Sequence, residues 1–143
     1  MRNNRSIPSA AVIPELAYAD VDVAARWLCD AFGFRERLRI ANHRIQLTYG
    51  DGALVVMEAR GARVDASART HSILLRVGDV EAVFARAVAS GATVIHPVED
   101  YLYGERQCSV SDPGGHRWTL SQTIADSDPS DWGGELVEAH ATR

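Results

Sequence analysis

Two spacings alternate along this chain, and they alternate twice. Val12 to Tyr18 reads as a strand, with Pro14 confining it to an edge or a strand start. Asp20 can cap a helix over residues 21–32, where Ala24, Trp27, Leu28 and Ala31 fall at helical spacing and Gly33 suits a left-handed cap. Period-two alternation then predicts strands over Phe34–Ile40, Arg44–Tyr49 and Ala53–Glu58, with turns at Asn42-His43 and Asp51-Gly52. Residues 60–69 are small and polar and read as a linker. The same order follows: a strand over Ser72–Val77, then a helix capped by Asp79 with Val80, Val83, Phe84, Ala87 and Val88 on one stripe and Gly91 at its end. Strands over Thr93–Val98 and Glu105–Ser111 flank a polar, aromatic loop at 100–104. The turn Asp112-Pro113-Gly114-Gly115 opens a last strand, His116–Gln122.

The pattern is βαβββ written twice. Asp20-Val21-Asp22 is echoed by Asp79-Val80-Glu81, and Gly52 by Gly115. It predicts an α+β fold of tandem βαβββ modules with curled mixed sheets. Residues 1–122 form one domain, module one spanning about 11–59 and module two about 70–122. Residues 123–143, with Asp126, Asp128, Pro129, Asp131 and two glycines, read as a flexible tail. Trp132 inside it should pack on its own domain or on a partner.

Composition narrows the function classes. The chain has 143 residues, 46% hydrophobic and 24% charged, which suits one globular domain with a real core. A net charge of −4 argues against a nucleic-acid binder. Cys29 and Cys108 have no metal or redox spacing and read as two buried thiols. The first residues lack the apolar stretch of an export signal, and no apolar run approaches the roughly 20 residues of a membrane span. The expectation is a cytoplasmic protein without nucleic-acid or membrane partners.

Asp112-Pro113-x-Gly115-His116-x-Trp118, preceded by Tyr103-Gly104-Glu105-Arg106 and by His71 through Asp79-Val80, carries a family resemblance. Over roughly residues 11–122 the chain resembles the vicinal oxygen chelate superfamily, which includes glyoxalase I, extradiol dioxygenases and bleomycin-resistance proteins, and it looks closest to the bleomycin-resistance-like branch. The resemblance implies partial barrels whose paired halves enclose a cavity, a homodimer, and in some members swapped segments. Metal-using members carry His or Glu at four inward positions. Here those positions fall on Ile13, Val56, Ser72 and Thr119, none of them an imidazole or a carboxylate. No cofactor is therefore expected. A divalent metal remains possible only through displaced ligands, for which Glu15, Glu58 and His71 are the candidates.

Strand parity predicts which residues face away from the helices. In the first half these are Arg37, Arg39, Gln46, Thr48, Val56 and Glu58; in the second they are Arg76, Glu105, Gln107, Ser109, Arg117 and Thr119. Tyr101, Leu102, Tyr103 and Trp132 could add flat apolar walls. A sheet facing only water would look equally polar. His116 reads as a structural residue bonded to backbone, and His43, His96 and His140 as turn or surface residues. The function expected is metal-free binding of a small organic molecule, aromatic or cationic. The alternatives are a metal-dependent lyase, isomerase or dioxygenase, or a metal-free enzyme with Glu105 as general base beside Tyr103 and Arg106.

Overall fold

In the computed structural model, which describes residues 2–59 and 71–136, each half of the chain closes into one four-stranded mixed sheet and one helix. The first half comprises β1 (Glu15–Tyr18), α1 (Val21–Phe32), β2 (Arg35–Ile40), β3 (Arg44–Tyr49) and β4 (Gly52–Glu58). The second comprises β5 (Ile73–Arg76), α2 (Val80–Ala89), β6 (Thr93–Asp100), β7 (Glu105–Ser111) and β8 (Arg117–Thr123), followed by a short 3₁₀ helix, Pro129–Trp132. Strand orders are β1-β4-β3-β2 and β5-β8-β7-β6. In each sheet the first strand pairs in parallel with the last, and the other pairings are antiparallel. The α+β tandem βαβββ expectation is met.

Local chemistry explains the element ends. The Asp20 carboxylate accepts from the Val23 amide and that of Asp79 from the Ala82 amide, filling donors that a first helical turn leaves free. Gly33 ends α1 at φ 87°, where its amide bonds Cys29 O. β1 begins only after Pro14, three residues later than expected. Proline has no amide to give, although its carbonyl still accepts from the Val55 amide at 2.9 Å. The proposed linker over 60–69 lies outside the described residues.

The helix sides of both sheets share a single core. Leu28, Phe32, Ile45, Leu47, Val56, Val110, Trp118 and Leu120 are fully buried in it. Trp118 is its centre, with the rings of Phe32 and Phe34 at 4.9 and 5.8 Å. Trp27 Nε1 donates across the modules to Ser90 O at 2.7 Å. No helix among the described residues is long and apolar enough to cross a membrane.

Both cysteines are free thiols, but only Cys108 is buried; Cys29 is half-buried, which corrects the expectation of two buried thiols. Burial pushes the Cys108 thiol up to about 11, so at pH 8 about a thousandth of it is thiolate. Burial, then Glu36 and Asp30, raise the Cys29 thiol as well. With a disulfide-exchange reagent at pH 8 the native protein should titrate slowly, and at Cys29 alone. Cys108 should react only on unfolding; two equally fast thiols in the native state would contradict this.

Candidate functional site

The faces turned away from the helices differ between the two sheets, and pairing register decides what each presents. β3 and β4 are joined by the two-residue turn Gly50-Asp51, which pairs Gln46 with Val55 and Thr48 with Ala53. A three-residue turn, needed to set Val56 and Glu58 beside Gln46, does not form. Val56 and Glu58 therefore lie on the helix side, a correction to the expected face. Val56 is core, and Glu58 sits at the strand end, where Oε1 meets His43 Nδ1 at 3.1 Å. Val55 and Met57 take the outward positions.

Arg39 is misplaced for a different reason. Glu36 pairs with Leu47 and Leu38 with Gln46, so Arg37 is the extra residue of a β-bulge. A bulge reverses the parity after it, and Arg39 turns to the helix side, bonded to Asp22 at 2.9 Å and Glu36 at 2.5 Å. Arg37 keeps the outward face: its Nη1 donates to Gln46 Oε1 at 2.6 Å. Gln46 is nevertheless only 6% exposed and Val55 3%. Chain from before β1 lies over them, with Arg37 Nη2 donating to Arg5 O at 2.8 Å and Gln46 Nε2 to Ser6 O at 2.9 Å.

The second sheet follows the expected parity. Glu105, Gln107, Ser109, Arg117 and Thr119 share the outward face with Ser121 and Thr123, and Arg76 Nη2 donates to Thr123 Oγ1 at 2.9 Å. Three of these side chains form a directed chain with Tyr103. Tyr103 OH donates to Gln107 Oε1 (2.9 Å), Gln107 Nε2 to Ser121 Oγ (2.9 Å), and Ser121 Oγ to Glu105 Oε1 (2.7 Å). Ser121 is 1% exposed, so this polar chain is rooted inside the protein. Parity of β8 placed Ser121 on this face, but a lone serine carried no sign of being the buried hinge of a network.

Aromatic rings stand beside that chain. Tyr101 and Tyr103 stack at 5.3 Å and 14°, and Trp132 meets Tyr103 edge-on at 5.5 Å. The described part of the tail packs on its own domain. The Ile124 and Ala125 amides donate to Gly104 O, and Ser127 Oγ to Leu102 O at 3.0 Å. Trp132 remains 45% exposed. The arrangement offers two stacked rings, an indole edge and a fixed carboxylate, amide and hydroxyl: surfaces for a flat molecule and groups to orient it.

The displaced metal ligands are not brought together. Glu15 faces outward, bonded to Arg44 at 2.5 Å, whereas Glu58 is on the helix side. His71 sits with its ring 6.2 Å from that of His116. Among the described residues, no three His, Cys, Asp or Glu side chains converge as a metal site, so this donor set does not fit a divalent ion.

His116 is structural, as expected. Its Nε2 lies 2.8 Å from Ala17 O in the other module, and its amide donates to Asp112 Oδ1. His43 and His96 are exposed; His140 lies outside the described residues. Among the described residues, hollows away from the polar chain include a 160 Å³ apolar cleft between α1 and the 112–114 turn, lined by Val23, Trp27 and Tyr18, and a 590 Å³ groove near Ile40, His43 and Met57.

The Glyoxalase/Bleomycin resistance protein/Dioxygenase superfamily model matches residues 10–120. TioX from Micromonospora sp. ML1 is similar over 83% of this chain and 100% of its own, with 32% identity and a TM-score of 0.65. The bleomycin resistance determinant encoded on transposon Tn5 is similar over 82% of this chain and 100% of its own, with 23% identity and a TM-score of 0.63. An uncharacterised Mycobacterium bovis protein is 47% identical over 55 residues, 38% of this chain; the match spans about a third of that relative's length, 36%.

Proposed function

This chain belongs to the Glyoxalase/Bleomycin resistance protein/Dioxygenase superfamily, and from that premise we propose that it is a metal-independent binding protein for a flat, small organic molecule. The ligand lies on the outward face of the β5–β8 sheet, against Tyr101, Tyr103 and Trp132. Glu105, Gln107, Thr119, Arg76 and Arg117 supply its polar contacts. The observation that carries this reading is the Tyr103–Gln107–Ser121–Glu105 chain beside the stacked tyrosines. It holds polar groups in set orientations before any ligand arrives, which reduces the entropy lost on binding. A second copy facing this surface would close it, and the molar mass in solution by light scattering checks that dimer.

Calorimetric titration against a panel of planar aromatic and cationic compounds tests the site. Tyr103→Ala should weaken a bound compound about tenfold or more, about 1.4 kcal/mol, and Trp132→Ala similarly. EDTA should leave the affinity unchanged. A panel with no binder and no thermal shift would sink the reading. Affinity or turnover that appears only with added Zn²⁺, Ni²⁺, Mn²⁺ or Fe²⁺ would move the protein to the lyase and dioxygenase class.

A further inference from the structure

The outward face of the first sheet is already filled. Arg37 and Gln46 act there as one unit. Arg37 Nη1 occupies the Gln46 side-chain oxygen, so the Gln46 Nε2 must point outward as a donor. The two free ends, Arg37 Nη2 and Gln46 Nε2, then grip consecutive main-chain carbonyls, Arg5 O and Ser6 O, at 2.8 and 2.9 Å. Val55 is buried on the same face, and Pro8 is buried at the end of the segment.

The segment shows the marks of an occupant rather than of a structural element. Residues 5–8 add no ladder to the sheet, whose edge strands are β1 and β2. Both donors bind backbone oxygens, so the grip does not read the side chains of Arg5 or Ser6. Ile7 is half exposed, and Asn3, Asn4 and Arg5 lie on the surface. Among the described residues, two side-chain bonds and one buried proline hold it, which places it at the weakly held end of the fold.

We propose that the β1–β4 face is a binding groove for an extended, peptide-like chain bearing successive amide carbonyls, and that residues 5–8 are its resident, exchangeable occupant. A peptide supplies the carbonyl spacing that the Arg37–Gln46 pair already holds, together with an apolar side chain for the floor at Val55. Because the resident segment must leave first, the apparent affinity for an incoming chain falls by the fraction of molecules in which the groove is open. This groove is separate from the aromatic site on the second sheet and does not depend on its ligand.

The test uses the full-length chain and a fluorescent synthetic peptide of residues 2–10 as the probe. Pro8→Asp places a charge in the buried position and should release the segment, read as faster trypsin cleavage after Arg5. Pro8→Gly, which removes the ring without adding charge, repeats the test should Pro8→Asp misfold. Fluorescence anisotropy should show the peptide binding the released protein about tenfold or more tighter than the wild type. Adding Gln46→Ala should abolish that gain while leaving the melting transition cooperative. A peptide that binds neither released variant, despite faster cleavage, overturns the proposal; so does cleavage unchanged in both. Loss of the small-molecule site through Tyr103→Ala should leave peptide binding intact, so the two readings fail separately.

Discussion

Asp112→Asn is expected to lower the melting temperature by about 10 °C. Asp112 is 4% exposed and its carboxylate serves four donors. Oδ2 accepts from Tyr18 OH at 2.6 Å and Trp118 Nε1 at 3.0 Å; Oδ1 accepts from the Gly114 amide at 3.0 Å and the His116 amide at 2.9 Å. Tyr18 belongs to the first module and the other donors to the second, so the carboxylate ties the two halves and fixes the turn before β8. Asparagine keeps the shape but only one acceptor oxygen. Its NH₂ group must face two donors, and each buried donor left unpaired costs about 1–3 kcal/mol. Tyr18→Phe removes a single donor and should cost about 1 kcal/mol. Thermal and urea unfolding of both variants read the difference, and a fall of less than about 2 °C for Asp112→Asn would contradict the account.

The same tie predicts an alkaline limit. Burial first, and then the Asp112 charge, push the Tyr18 phenol far above its ordinary value. A group with a raised folded-state value contributes stability that is complete below its unfolded value, about 10, and lost as pH rises above it. Urea unfolding between pH 9 and 11 should therefore show falling stability, with a shallower slope in Tyr18→Phe.

Gly104→Ala is expected to undock the tail and weaken ligand binding on the second sheet about tenfold or more. Gly104 sits at φ 82°, a conformation that costs alanine roughly 1 kcal/mol or more. The larger cost is steric. An added methyl would collide with the Ala125 carbonyl oxygen and press on Ser127 Oγ at 3.1 Å. Backbone cannot yield there as a flexible side chain could, because the Ile124 and Ala125 amides are themselves bonded to Gly104 O. Relief comes by moving the segment that carries Trp132 away from Tyr103. Tryptophan emission should shift to the red, and Trp132→Phe should remove that shift. Unchanged emission together with unchanged affinity would show that the tail docks without this close approach.

Much of this was legible in the residue pattern, because it depends on contacts a few positions apart. Asp20 and Asp79 cap helices through their own first turns, Gly33 supplies a left-handed end, and period-two alternation marks each strand whatever it pairs with. The duplicated order then yields the fold class, and the Asp112–Trp118 signature carries the family. On β7 and β8 parity also placed Glu105, Gln107, Arg117 and Thr119 correctly, since no irregularity interrupts their register.

What the sequence alone determined is therefore the set of elements, their order, the helix-facing stripe and the family. Only the tertiary structure decided which polar residues share a surface. A bulge at Arg37 sends Arg39 inward, and the register set by the turn Gly50-Asp51 pairs Val56 with Ile45 and so puts Val56 and Glu58 on the helix side. In a strand one residue is the whole difference between two faces. The covering of Gln46 by residues 5–8, the meeting of Trp132 with Tyr103 and the Asp112 tie join positions roughly 30 to 95 residues apart. Nothing local encodes those contacts; they form because folding brings a donor, a ring or a carbonyl into a space that only the assembled chain creates.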